Sequence, residues 1–346
     1  MNVLVVGAGA VGSWLGGALA AGGTGVTLVE PGPRREAIAR DGLTLIDGRR
    51  VTRVRPPLVA TVPEALAAAR FDVALVAVKS YHTADVAAAL AAAGTHAPPR
   101  VASFQNGVGN DDILAAALPA GAVLAATLTT GLVLEADGAV RGSGRGGAGL
   151  GRSAGGPPSA DLAAALARGG LSVSLYALPA AMKWSKLLLN LLGSATSAIL
   201  GWPTGRVFAD RRLFQLERAA WLEALAVMRA LGLSPVALPG YPVPLYARAA
   251  AWLPPGPAHL AFGSRLGSAR ADRLPSVAAD LAAGRRQTEN AVLTRAVAEH
   301  GLATGTPVPL SRAMSDLVDD LAAGRVSRER FANRPEALLA HVAPGT

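Results

Sequence analysis

Among the 33 basic residues only three are lysines, Lys79, Lys183 and Lys186; the rest are arginines. A chain with that preference keeps lysine where a compact, titratable cation is needed, since an ammonium gives up a proton that a guanidinium effectively retains. After Pro179 the apolar residues take on helical spacing from Met182 to Ile199, and Lys186, Asn190 and Ser194 fall at i, i+4 and i+8 as one polar stripe. A lysine presented from such a helix to a cleft loses part of its preference for being charged. It is suited to deliver the proton that a developing alkoxide needs when hydride reaches a ketone carbon. The competing reading is a lysine that snorkels along the helix surface. Lys183, on the preceding turn, reads as a solvated helix-surface or phosphate-side cation.

The elements that must position such a group begin at the amino end. Val3 to Val6 read as a short buried strand, followed at once by Gly7-Ala8-Gly9-Ala10-Val11-Gly12 and an apolar helix through Ala21. Gly7 permits the tight turn, Gly9 lets a pyrophosphate approach the backbone, and Gly12 lets helix and strand pack closely. The whole run from Gly7 through Ala8, Gly9, Ala10 and Val11 to Gly12 is therefore the candidate dinucleotide phosphate loop. A second strand, Val26 to Val29, ends in Glu30, 18 residues after Gly12, where an acid bonds the adenosine ribose. NAD and NADP both stay open: Glu30 repels a 2′-phosphate, whereas Arg34 and Arg35 follow within reach of one. Further buried strands run from Asp72 to Val78, ending in Lys79, and from Val101 to Gln105-Asn106-Gly107. At the carboxyl ends of a parallel sheet, Lys79 and Asn106 point towards the nicotinamide half. Strands with turns fill Val123 to Gly151, and the glycine-rich stretch Gly142 to Gly156 reads as a strand pair with mobile turns, since it lacks the lysine of a P-loop.

The 346 residues make roughly two domains at about one per 150 residues. They divide at residues 1–178, Rossmann-like, and 179–346, helical. The net charge of +9 splits into +2 for residues 1–178 and +7 for residues 179–346, and the longest basic runs are pairs. That pattern argues against nucleic acid and for a small anionic substrate or a phosphate-bearing cofactor. With no cysteine there is no disulfide, thiolate zinc site or cysteine nucleophile, and no metal site is expected. Residues 1–29 carry no charge, but they lack a basic leader and glycines interrupt them. The apolar run Leu187 to Trp202 is interrupted by Asn190 and falls short of the roughly 20 residues that span a bilayer. A soluble cytoplasmic protein is the default expectation.

The glycine run at 7–12, Val78-Lys79, Asn106-Gly107 and Trp184-Ser185-Lys186-Leu187 with Asn190 together resemble the ketopantoate reductase family, the 2-dehydropantoate 2-reductases. Pro275-Ser276 with Asp280, then Gly284-Arg285 leading to Thr288-Glu289, is similar to that family's second signature. The resemblance spans about residues 1–320. It implies a Rossmann-like domain followed by a mostly α-helical domain like the C-terminal domain of 6-phosphogluconate dehydrogenase, with a cleft between them, and a dimer. It implies hydride transfer from NADPH to 2-dehydropantoate to give (R)-pantoate. In that scheme Lys186 is the catalytic acid, Glu289 its partner carboxylate, Asn106 and Lys79 lie near the nicotinamide, and Asn190 and Ser276 contact substrate.

This chain departs from the pattern at several places. Ser194 and Thr204 stand where the family tends to have substrate-binding asparagines, and hydroxyls reach less far than amides. Pro31 replaces an arginine after the second strand, which keeps NAD in play, and His82 stands where glutamine is common. The segment Arg285 to Glu289 is one residue longer than usual, and the tract from Glu289 to Gly301 about four shorter. On an ideal helix Ser276 and Glu289 would sit about 140° apart, so bringing both to one site requires a break near Gly284. The rivals are a related dehydrogenase acting on a different keto acid, a β-hydroxyacid dehydrogenase, disfavoured because no glycine precedes the lysine between Ala177 and Met182, and a non-catalytic dinucleotide sensor.

Overall fold

The computed structural model describes residues 1–151, 159–259 and 274–343. The chain separates into two compact units. Unit 1 comprises Met1–Gln105, Gly109–Lys183 and Ala237–Tyr241; unit 2 comprises Asn106–Val108, Trp184–Val236 and Pro242–Thr346.

In unit 1, β1 (Asn2–Val6), β2 (Gly25–Val29), β5 (Leu58–Val59), β6 (Val73–Val76), β7 (Val101–Ser103), β8 (Val123–Leu128), β11 (Ala148–Gly151) and β12 (Val173–Tyr176) form one sheet, in the order β12-β11-β8-β7-β6-β1-β2-β5. Neighbouring strands are parallel except for β8 and β11. Helices cover both faces, which explains why these strands read as unbroken apolar runs. Val3 and Val5 pack on the side of α1 (Ala10–Ala21) and α6 (Ala160–Arg168). Leu4 and Val6 face the side of α3 (Val62–Ala68), α4 (Thr83–Ala92) and α5 (Asn110–Ala117). Each such side chain contributes about 1.5–3 kcal/mol by leaving water. Val6 pairs with both Val29 and Val76, so Gly7, Glu30 and Ala77 leave their strands side by side at the point where the strand order reverses. That is where open α/β sheets bind ligands.

A second sheet, in the order β4-β3-β10-β9, joins the hairpin of β3 (Leu43–Asp47) and β4 (Arg50–Val54) to β9 (Leu132–Leu134) and β10 (Val140–Gly142). The stretch Gly142 to Gly156 is therefore not a strand pair. Gly142 ends β10 in the small sheet, β11 belongs to the large one, and residues 152–156 lie outside the described residues. Two of these glycines serve close packing instead of turns: a Cβ at Gly142 would strike the ring of Trp14, and one at Gly149 the side chains of Met182 and Tyr176.

Unit 2 is helical among its described residues. The helix expected from Met182 to Ile199 is two helices, α7 (Pro179–Leu191), whose first turn with Lys183 groups with unit 1, and α8 (Ser194–Leu200). Gly193, with φ of +74°, breaks them, and every residue of α8 is buried. Then follow α9 (Thr204–Ala209), α10 (Arg211–Ala230) and α11 (Val243–Trp252), and helices at Ser276–Ala282, Thr294–Thr304, Pro309–Ala323 and Pro335–Val342. Asp210 starts α10 by accepting the N–H groups of Arg212 (2.8 Å) and Leu213 (3.2 Å), two of the donors a helix leaves unpaired at its start. Among the described residues no helix is long and apolar enough to cross a membrane.

Candidate active site

In unit 1 the glycine turn has the shape a pyrophosphate requires. Gly7 adopts φ of +96°, and its N–H donates to the Val29 carbonyl at 3.0 Å. A Cβ at Gly12 would collide with the Gly7 carbonyl and crowd Ala77, whereas one at Gly9 would meet nothing within 4 Å. Gly9 therefore leaves an open face at the start of α1, and Ala8, Ala10 and Val11 line the same turn. Glu30 fixes this turn from β2: its Oε2 accepts the Ala8 N–H at 3.1 Å and its Oε1 the Gly32 N–H at 2.9 Å. Arg34, at the start of α2 (Arg34–Asp41), donates to the Ala8 carbonyl, and its second nitrogen reaches the Gly138 carbonyl at 3.4 Å. Burial lowers the pKa of Arg34, and the Glu30 charge partly offsets that. These residues fit a dinucleotide.

Lys79 lies three residues beyond β6, which is shorter than the expected Asp72–Val78, and precedes the 3-10 turn Ser80–His82. Gln105 sets that turn by donating to the Val78 carbonyl (3.2 Å) and to the Thr83 hydroxyl (2.7 Å), which in turn donates to the Ser80 carbonyl (2.7 Å). Lys183 is not a solvated or phosphate-side cation. It is 5% exposed, and its Nζ donates to the carbonyls of Ser103 (3.4 Å), Gln105 (3.1 Å) and Ala126 (3.2 Å), with Asp111 Oδ1 at 3.5 Å. Three converging carbonyls match the three protons of an ammonium, and the planar fork of arginine would not. The rarity of lysine was the available signal; helical periodicity alone hid the burial.

In unit 2 the rotational setting of α7 is fixed by contacts on its other faces. The ring of Trp184 stands edge-on to His300 at 5.2 Å, Ser185 Oγ accepts the Val236 N–H at 2.8 Å, and the Leu188 carbonyl accepts the Trp221 indole N–H at 2.6 Å. Lys186 and Asn190 are left half-buried among buried neighbours. Asn190 Nδ2 donates to Asn106 Oδ1 at 3.1 Å, so Asn106 belongs with the lysine helix although the sequence places it at the end of a sheet strand. Its segment is pinned to the 3-10 turn Glu289–Val292: the Val108 N–H donates to the Val292 carbonyl at 3.1 Å, and Gly107 (φ of +81°) lies so close to Val292 that a Cβ would overlap it.

That turn is itself anchored. Thr288 Oγ1 accepts the Asn290 N–H at 3.2 Å, and the Asn290 amide donates to the Ser315 carbonyl (3.1 Å) and to Asp319 Oδ1 (2.8 Å). Glu289 is 4% exposed at its start. The required break after Ser276–Ala282 is present: Gly284 has φ of +68°, and Arg285 reaches back to the buried Asp280 at 2.7 Å. Ser276 is half-buried on the first turn of that helix. The structure thus brings Lys186 and Asn190 together with Asn106 and the Glu289 turn. Ser194 does not continue the stripe. It lies on α8 beyond Gly193, 1% exposed, with no hydrogen-bond partner for its hydroxyl among the described residues, and Thr204, also 1% exposed, packs its methyl against Gly193.

Sequence reasoning missed Glu217. It is 4% exposed on α10, and its Oε2 accepts the Gly193 N–H at 2.7 Å, holding the break between α7 and α8. Burial pushes its pKa up to about 7, against the hydrogen bond from the Gly193 N–H, which favours the charged form. Its only sequence signal was an acid on an amphipathic helix, one of two there with Glu223.

The family model for ketopantoate reductase PanE/ApbA matches residues 3–155, and the model for its C-terminal part matches residues 180–322. The chain belongs to the ketopantoate reductase family. It is 37% identical over 240 residues, 66% of this chain and 77% of the relative, to a 2-dehydropantoate 2-reductase of Halobacterium salinarum. A PanE/ApbA family ketopantoate reductase from Ralstonia eutropha superposes with a TM-score of 0.77 at 31% identity, covering 94% of this chain and 99% of the other. A D-mandelate dehydrogenase solved with NADH has the same fold, with a TM-score of 0.74 at 19% identity over 94% of this chain and 99% of the other. The ketopantoate reductase fold is accordingly this chain's fold, and the chain is an NAD(P)-dependent oxidoreductase of keto acids.

Proposed function

We propose that this member of the ketopantoate reductase family reduces 2-dehydropantoate to (R)-pantoate, with Lys186 as proton donor. The observation that carries the reading is the assembly of Lys186, Asn190, Asn106 and the Glu289 turn from three separate stretches of chain in unit 2. The Gly7–Gly12 turn, Glu30 and Lys79 would hold a nicotinamide dinucleotide, which would supply a hydride for the carbonyl carbon. Lys186 gives its ammonium proton to the carbonyl oxygen, so the ketone becomes a secondary alcohol and the lysine is left neutral until water reprotonates it. Glu289 works with Lys186 as its partner carboxylate and contacts the substrate. Asn106 and Asn190, tied amide to amide, present their remaining polar groups to substrate, and Ser276 takes the ketoacid carboxylate. A lysine is required because an arginine in the same place would keep the charge and not release the proton.

The hydroxyls of Ser194 and Thr204 favour a second reading, a keto acid with a different substituent. Hydroxyls reach less far than the amides that the family tends to have at these two positions. The test is oxidation of NADH and NADPH by the purified chain against a panel of 2-keto acids that includes 2-dehydropantoate. The highest kcat/KM for 2-dehydropantoate is expected; a higher value for another acid establishes the second reading. Dinucleotide binding with no turnover on any acid would leave only a sensor.

A further inference from the structure

We infer that this chain selects NADH over NADPH, with Glu30 as the selecting group and Arg34 as a strut of the glycine turn and no phosphate anchor. The inference rests on the proposed dinucleotide site and concerns the segment that follows β2. Register places Glu30 directly beside that site, since Val29 pairs with Val6 and the next residues of both strands are Glu30 and Gly7. Both carboxylate oxygens are held by backbone, Oε2 by the Ala8 N–H and Oε1 by the Gly32 N–H. A carboxylate oxygen so held keeps a further lone pair, so it accepts a ribose hydroxyl, which brings a proton. A 2′-phosphate brings no proton and up to two negative charges to the same place.

Sites that take a 2′-phosphate surround it with donors, and here the backbone donors of the segment after β2 are missing or committed. The segment reads Glu30-Pro31-Gly32-Pro33-Arg34. Pro31 and Pro33 have no N–H. The one N–H between them, on Gly32, is bonded to Glu30 itself. Arg34 is the cation that would compensate the phosphate, but its guanidinium donates to the Ala8 carbonyl and towards Gly138, in the turn between β9 and β10. Both backbone groups of Ala8 are therefore held, its N–H by Glu30 and its carbonyl by Arg34. To reach a phosphate, Arg34 would have to give up its bond to the Ala8 carbonyl, which also accepts the Ser13 hydroxyl at 2.8 Å, and its reach to the Gly138 carbonyl. Arg35 is exposed, where the pull of a lone cation is screened.

The experiment is calorimetric titration of the full-length protein, without keto acid, with NADH and with NADPH. The expected result is NADH bound about 100-fold tighter, the scale of an uncompensated like-charge contact. Glu30→Gln should bring the two affinities within about tenfold of each other, chiefly by improving NADPH. Arg34→Ala should weaken both dinucleotides by a similar factor, as loss of a strut does. Arg34→Lys keeps the charge but not the two-carbonyl bridge and should do the same, and far-UV circular dichroism confirms that each variant is folded. NADPH bound tighter than NADH, or an Arg34→Ala effect confined to NADPH, overturns the inference while leaving the enzyme assignment in place. Binding of neither dinucleotide overturns both.

Discussion

Glu217→Gln isolates one buried proton. The native carboxyl has a pKa pushed up to about 7 by burial, against an ordinary value of 4.5. The native state therefore holds its proton more tightly than the unfolded chain does. Below about pH 4.5 both states are protonated and the neutral acid costs nothing extra; between 4.5 and 7 unfolding releases a proton, so the stability from this group falls as pH rises; above 7 the loss is complete. A shift of about 2.5 pH units at 1.36 kcal/mol each is about 3 kcal/mol, without solvent screening because the side chain is buried. Glutamine is neutral at every pH, and its carbonyl still accepts the Gly193 N–H. Urea unfolding followed by circular dichroism at pH 5, 6, 7 and 8 should show the variant close to wild type at pH 5 and more stable by about 3 kcal/mol at pH 8. The difference between the two proteins cancels every other titrating group. An equal difference at pH 5 and pH 8 would refute the raised pKa.

Two further outcomes follow from the packing. Lys183→Met removes the ammonium and leaves three carbonyls and Asp111 without it, so the variant should lose about 3–5 kcal/mol in the same unfolding assay; a loss under 1 kcal/mol would mean the pocket relaxes freely. Gly107→Ala must move Asn106 off the Glu289 turn, so it should cut kcat with 2-dehydropantoate at least about tenfold, and unchanged kinetics would detach Asn106 from the site.

The nucleotide end was legible because strand, glycine turn and helix are local and each glycine has one steric task. The break near Gly284 was legible for a related reason: helical angles forbade Ser276 and Glu289 from sharing a face without it. Gly193 escaped notice because it sits in a long apolar run whose period continues on both sides, while the break depends on Thr204 and Glu217, which are remote in sequence. The second sheet was missed for its β3–β4 hairpin, although Asp47-Gly48 is a turn signal, because β3 alternates only weakly and its partner β10 lies about a hundred residues on. Asn106 followed a strand in sequence, and only tertiary contact groups it with the lysine helix. The arginine-rich composition had pointed to lysines with a task. For Lys183 the task is structural: three protons for three carbonyls.

The central claim is that the ammonium of Lys186 delivers the proton. It is tested most directly by the single-turnover rate of nicotinamide oxidation with 2-dehydropantoate in wild type and Lys186→Arg, with dinucleotide affinity measured alongside. The predicted result is a rate lower by about 10²–10⁴ with unchanged dinucleotide affinity, because the charge stays and proton donation is lost. A rate within a few-fold of wild type would contradict the claim.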